Sequence, residues 1–203
     1  MKMLSRIIAM SLLLVAALHG TAHAATYKEA IQIFKEAGQS ASFFSKSYGY
    51  AVFPNVGSGA VGIGGAYGKG RVYVGDKWVG YARMTEVSLG LQAGGKAYSQ
   101  IVFFEDQRSF DEFTSGKFAF GADASVTAIT AGANATAGTD GVSKGSSGGE
   151  HDASNEGRYS SGMAVFVVAK GGFMAGASVA GQKFTYKTRS QQAAEAEAKA
   201  TAE

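Results

Sequence analysis

The residue groups that could do chemistry in this chain are glycine-rich loops, carboxylate pairs and one histidine. Gly57-Ser-Gly-Ala-Val-Gly62 fits the spacing of a dinucleotide loop. That fingerprint needs a strand before it, a helix after it and an acidic residue about twenty positions on, whereas the residues that follow here alternate as a strand. Gly90-Leu-Gln-Ala-Gly-Gly-Lys96 approaches a phosphate-binding loop, but Ala97 stands where a Ser or Thr would hold Mg²⁺. Of the three histidines, His19 and His23 lie in an amino-terminal leader and His151 lies in a polar loop. A Ser-His-Asp triad needs a rigidly held base, and zinc sites draw on His and Cys, of which the chain has no Cys. The pairs Glu105 with Asp106 and Asp111 with Glu112 fall at a strand end and in a helix first turn, where acids favour the helix dipole without any catalytic role. Asn134-Ala-Thr136 is a glycosylation sequon, meaningful only on a eukaryotic secretory route. No enzyme, metal or cofactor site is expected.

The elements that must position any site begin after a leader. Lys2 and Arg6 precede an apolar run from Ile7 to Leu18, and Ala22-His-Ala24 supplies a small-x-small cleavage site. Residues 1–24 read as a secretory signal peptide, with an apolar stretch too short for a stable membrane span. Its removal takes two basic residues and no acidic ones, so a formal charge of +3 becomes +1. That weakens the electrostatic case for nucleic acid. With no Cys there are no disulfides and no lipid-modified cysteine, so an acylated lipoprotein is excluded.

Thr26 to about Ser45 has helical periodicity: Tyr27, Ile31, Phe34, Gly38 and Ala41 share an arc, and Thr26 with Glu29 forms a capping box. Lys28 and Lys35 flank the apolar stripe. Two readings are open: a helix docked on a core with solvated lysines, or one lying on an anionic membrane. From Gly49 to Phe104 the period is two, punctuated by turn signals at Gly68-Lys-Gly70 and Gly75-Asp-Lys77. Such spacing indicates antiparallel sheet. Ser109 to Glu112 is read as a second capping box, its helix ending by Gly116. Alternation resumes at Ala122. Residues 138–157 are read as a mobile loop, and strands are expected over Met163 to Ala169 and Phe173 to Lys187. The tail, 189–203, lacks an apolar face and is expected to be frayed or disordered, with partial helix at most.

The glycines then form a longer pattern. Ala51-Val-Phe-Pro54, Gly57-x-Gly59, Gly62, Gly64-Gly65 and Gly68-x-Gly70 come first. Trp78, Gly90-Leu-Gln-x-Gly94, Phe118-x-Phe-Gly-Ala-Asp123, Lys170-Gly-Gly-Phe-Met-Ala-Gly176 and Gly181 follow in order. From about Ala30 to Phe184 this resembles the SYLF domain, in its exported bacterial branch. Two departures stand out: no proline follows Trp78 in Val79-Gly-Tyr-Ala82, and Ala131-Gly-Ala-Asn134 replaces a Gly-Pro-containing turn of eukaryotic members. The resemblance implies a non-enzymatic module that binds lipid membranes, phosphoinositides in eukaryotic relatives, with actin binding in yeast relatives and an amino-terminal amphipathic segment implicated.

The expected fold is α+β and mainly β, over residues 25–188. An amino-terminal amphipathic helix packs on a strongly bent, glycine-rich antiparallel sheet, as a sandwich or a partly closed barrel. The small-residue face of Tyr50 to Gly70 is expected to receive a closely packed neighbour, the helix or a second sheet. The expected function is membrane-peripheral binding of phospholipid or another anionic lipid in the bacterial envelope. The expected location is periplasmic, outer-membrane-associated or secreted. Carried over by position, lipid contact falls to Lys28, Ile31, Phe34 and Lys35, with a basic rim of Lys69, Arg71, Lys77 and Arg83 near strand turns. The alternatives are an integral outer-membrane β-barrel and a structural or actin-binding surface protein.

Overall fold

The computed structural model describes residues 25–61, 63–89, 94–120, 127–129, 157–170 and 181–201. The signal-peptide reading, the loop 138–157 except its last residue, and the expected strand start at Phe173 fall outside them.

Three short helices open the described residues: α1 (Tyr27–Glu36), α2 (Gly38–Ala41) and α3 (Phe43–Lys46). The capping box holds, with Thr26 Oγ1 accepting from Glu29 N at 3.2 Å and Glu29 Oε2 accepting from Thr26 N at 2.7 Å. The single helix expected to Ser45 is instead broken at Ala37, whose backbone is extended just before Gly38. Four long strands follow: β1 (Gly49–Val61), β2 (Ile63–Val74), β3 (Lys77–Leu89) and β4 (Gly94–Phe104). After α4 (Gln107–Thr114) come β5 (Thr127–Ile129), β6 (Met163–Ala169), β7 (Gln182–Thr188) and α5 (Arg189–Thr201).

The strands form one sheet in the order β5-β6-β4-β1-β2-β3-β7, antiparallel except for the β5–β6 pair. It is open between β5 and β7, yet it curls tightly. Phe53 of β1 and Phe184 of β7 are three strands apart, which in a flat sheet would separate them by about 14 Å. Their ring centroids are 5.7 Å apart. Gln100 of β4 and Gln182 of β7 hydrogen-bond at 2.9 Å across the same concave space. Residues 118–120 run beside β7, with Phe120 N donating to Gln182 O and Phe184 N to Phe118 O. The bent α+β fold expected from the sequence is therefore present, in its partly closed form.

Period-two alternation divides the core between the two faces. Ala51, Phe53, Val72, Met84, Val102, Phe104, Val165 and Phe184 point into the concave face, where Phe113 of α4 closes one end. Tyr50, Val52, Ile101, Phe103, Ala164 and Phe166 point to the convex face, under Ala30, Phe34 and Phe43 of the amino-terminal helices.

Three local expectations are corrected. Gly68-Lys-Gly70 is not a turn but the middle of β2, and the turn lies at Gly75, where φ is +54°. Gly68 and Gly70 face the concave side and receive Val56 and the ring of Phe53, so the close neighbour is not the helix. The second capping box starts at Asp106, not Ser109. Ser109 is its fourth member, donating its backbone N–H to Asp106 Oδ1 at 2.8 Å while its hydroxyl accepts from Asp106 N. The tail, by contrast, lacks a docked face as expected: Arg189–Thr201 is a 13-residue helix with no buried residue, capped by Thr188, whose Oγ1 accepts from Gln191 N.

Candidate functional site

Pro54 marks the place where the sheet makes room for a site. β1 carries one extra residue relative to both neighbours: Val52 and Asn55 pair with Arg71 and Lys69 of β2, and Phe53 and Val56 with Gln100 and Tyr98 of β4. Proline has no N–H to give a ladder, so a bulge accommodates it. Its carbonyl accepts from Ser99 Oγ at 2.8 Å. Beyond the bulge, a groove of about 480 Å³ opens between the start of α1 and the convex face of the sheet. Thr26, Tyr27, Pro54, Asn55, Tyr67 and Lys69 line it. Tyr67, 45% exposed, is the one large hydrophobic side chain left exposed among the described residues. Asn55 ties the groove together: its Nδ2 donates to Ala25 O at 2.7 Å and its Oδ1 accepts from Lys170 Nζ. Burial pulls the Lys170 ammonium below its ordinary pKa, with Glu29 acting in the opposite sense.

The helices cover the convex face over β1, β4 and β6, and Tyr27 reaches the Arg71 and Tyr73 end of β2. Farther along β2, β3 and β7, outward positions are left to solvent: Tyr67 and Lys69, Arg83 and Thr85, Lys183 and Thr185. Register then assembles a transverse row. Asn55 lies opposite Lys69, Lys69 opposite Arg83, and Arg83 opposite Thr185, with Lys183 paired to Thr85 one step along. Like charges directly opposite each other across a ladder are destabilising. Neither Lys69 nor Arg83 has an ion-pair partner among the described residues that would offset this.

The eight residues expected to contact lipid therefore separate. Lys69 and Arg83 come together, in mid-strand and not near turns. Arg71 shares their strand face but is engaged: its guanidinium carbon lies 4.3 Å from the ring centroid of Tyr27 and 4.1 Å from that of Trp78. Lys77 is exposed at the start of β3, at the far end of the sheet face from the groove. On α1, Lys28 is exposed, and Lys35 Nζ sits 5.3 Å from the ring centroid of Phe44. Ile31 packs against the convex-face core, and Phe34 is fully buried in it. The helix thus spends its apolar stripe on the sheet. Bringing Phe34 to a membrane in this role would first expose it, at about 2–3 kcal/mol for that side chain alone.

Sequence reading missed Tyr67, Lys170 and Lys183. The spacing Tyr67, Lys69, Arg71 places all three on one strand face. Reading a turn at Gly68-Lys-Gly70 broke that run and hid it. Of the paired carboxylates, Asp106 caps α4, its acid held below the ordinary range by the hydrogen bonds from Ser109, and Glu112 lies 3.6 Å from Arg108; Asp111 and Glu112 fall beyond the first turn of α4, not in it. Among the described residues no three His, Cys, Asp or Glu side chains could share a metal ion, and no helix is long and apolar enough to cross a membrane. The barrel alternative fails on two counts. Among the described residues the sheet is open, and its uncovered outward face carries Lys and Arg while its interior is rich in phenylalanine, the reverse of a lipid-facing barrel.

Comparison with known proteins agrees with this architecture. The chain is 28% identical over 164 residues to Beta cell expansion factor A of Aeromonas veronii, an alignment covering 76% of this chain and 51% of that protein. It thus spans about half the length of that relative. The family described as Las17-binding protein actin regulator, Ysc84, matches residues 85–199, from β3 through α5 and more than half of the chain. That family is one of binding modules, directed at lipids or actin-related partners, and not a known enzyme family. With that match over more than half of its length, the chain belongs to this SYLF family.

Proposed function

We propose that this chain is a non-enzymatic, membrane-peripheral module that docks anionic lipid surfaces through the uncovered face of β2, β3 and β7. The observation that carries the reading is the cross-strand pair Lys69–Arg83, two cations held side by side with no ion-pair partner among the described residues, with Lys183 beside them and exposed Tyr67 at the edge. A basic side chain at an anionic bilayer contributes about 1 kcal/mol. Lys69, Arg83, Lys170 and Lys183 together give roughly 4 kcal/mol, a millimolar interaction, so an inserted ring such as Tyr67 is needed to raise it. The leader formed by Lys2, Arg6, the run from Ile7 to Leu18 and Ala22-His-Ala24 supports export, and hence a ligand among envelope phospholipids or the lipids of another cell.

Co-sedimentation with vesicles tests this. Binding is expected to vesicles containing phosphatidylglycerol, to be weak on phosphatidylcholine alone, and to vanish in 1 M salt, where the Debye length falls to about 3 Å. Lys69→Glu with Arg83→Glu reverses four charges' worth of attraction and should weaken binding by roughly a thousandfold. Absence of sedimentation with every mixture at low salt would refute the reading.

A further inference from the structure

The groove at the bulge differs in kind from the flat cation row that it adjoins. Its lining combines Tyr27, Tyr67 and Pro54, which offer apolar contact, with Lys69 and Asn55. Lys170 lies just behind, bonded to Asn55. A bilayer surface cannot follow a recess cut beneath a helix start, but a single molecule can. Its volume suits a small amphiphile, since pockets for such ligands run from about 300 to 1,000 Å³. The charge in its lining selects an anion. No carboxylate is among the residues that line it, and Glu29, on the first turn of α1, accepts from Thr26 N.

We propose that this groove binds one molecule of an anionic amphiphile. The apolar body lies along Tyr27, Pro54 and Tyr67, and the phosphate or carboxylate head lies at Lys69 with Lys170 behind it. The proposal rests on the anionic-lipid reading above, and it assigns that lipid a one-to-one site separate from the surface contact of Arg83 and Lys183. A lining of rings with a lysine among them favours a molecule carrying both parts. Free phosphate would find the lysine but nothing for the rings to cover.

Calorimetric titration of the full chain with dihexanoyl phosphatidate, kept below its micelle threshold, tests this. Expected is saturable binding of one molecule per chain, at least tenfold weaker in Lys69→Met and fivefold weaker in Tyr67→Ala. Lys69→Arg should retain it, and Lys117→Met, which removes an exposed charge elsewhere, should leave it unchanged. Inorganic phosphate should bind at least a hundredfold more weakly. Thermal unfolding of Tyr67→Ala confirms that the exposed ring is dispensable to the fold, and Tyr67→Leu, which keeps apolar bulk, should recover most of the loss. If vesicles sediment with the chain but the monomer does not bind, the groove proposal falls while the surface reading stands. If neither binds, both fall. Phosphate binding as tightly as phosphatidate would also overturn the groove, because the rings would then contribute nothing.

Discussion

Gly70 lies against the ring of Phe53, so close that a Cβ at position 70 would stand 2.6 Å from two ring carbons and 2.9 Å from Val52 O. Phe53 is fully buried, and its ring meets Phe184 across the concave core. The ring cannot retreat, so Gly70→Ala should destabilise the chain by about 2 kcal/mol, the range for overpacking. For a domain of this size that lowers the thermal midpoint by roughly 4–8 °C. Gly57, in the neighbouring strand, has open space where its Cβ would go. Gly57→Ala should leave stability unchanged or raise it by about 0.5 kcal/mol. Equal losses at both positions would mean that the glycines act through general strand propensity and not through the ring.

Arg71 links three elements that are distant in sequence, stacked between Tyr27 of α1 and Trp78 of β3, while Arg189 at the start of α5 lies 4.5 Å from the same indole. Each partly desolvated stack is worth about 1 kcal/mol. Trp78→Leu, which removes the Arg71 stack and the hydrogen bond from Trp78 Nε1 to Gly80 O, should therefore lower global stability by about 2 kcal/mol. Arg71→Lys should lose about 1 kcal/mol, since an ammonium lacks the planar fork that stacks on both rings. Arg189→Ala should behave differently. Because α5 buries no residue, its loss should raise hydrogen exchange over residues 189–201 without moving the unfolding midpoint.

Burial pushes Tyr50 and Tyr159 up to about 12, with Tyr73 adding to the effect at Tyr50 and Glu105 at Tyr159. An unfolded tyrosine ionises near 10. Between those values the unfolded chain releases protons that the native chain keeps, so stability falls as pH rises. The contribution is whole below about pH 10 and lost by about pH 12. Urea unfolding at intervals from pH 9 to 12, with tyrosinate absorbance followed in parallel, should show this slope. Tyr50→Phe and Tyr159→Phe should each flatten it. A slope that survives the double variant would assign the alkaline loss to other groups.

The fold was legible in the sequence where one local rule acted alone. Thr26 with Glu29 predicted the start of α1, and the apolar run Met163 to Ala169 predicted a strand, which is β6. The site was less legible because two rules competed at Gly68-Lys-Gly70. Glycine spacing suggested a turn, while alternation of Tyr67, Lys69 and Arg71 suggested a continuous strand. The ring of Phe53 decided it, a contact between residues 17 apart that no local pattern encodes. Phe34 misled for a related reason. An amphipathic stripe reads the same whether a sheet or a membrane covers it, and here the sheet's Val52, Phe103 and Phe166 do.

Lys69 and Arg83 offer the sharpest separation of stability from binding. They sit opposite each other on adjacent strands, and both are exposed. Arg83→Glu would replace a repulsive cross-strand pair with an attractive one, so the folded state should gain up to about 1 kcal/mol. The same change inverts the centre of the cation row, and anionic-vesicle binding should fall at least tenfold. The double variant Lys28→Glu with Lys35→Glu reverses twice as much charge on α1, where Lys35 rests against Phe44 and the apolar stripe is already buried. If lipid meets the sheet face, this second variant should weaken sedimentation by less than threefold, through the overall field alone. A greater loss from the helix variant than from Arg83→Glu would transfer the contact to α1. It would also require the helix to leave the sheet, which faster hydrogen exchange across Tyr27–Glu36 on vesicles would reveal.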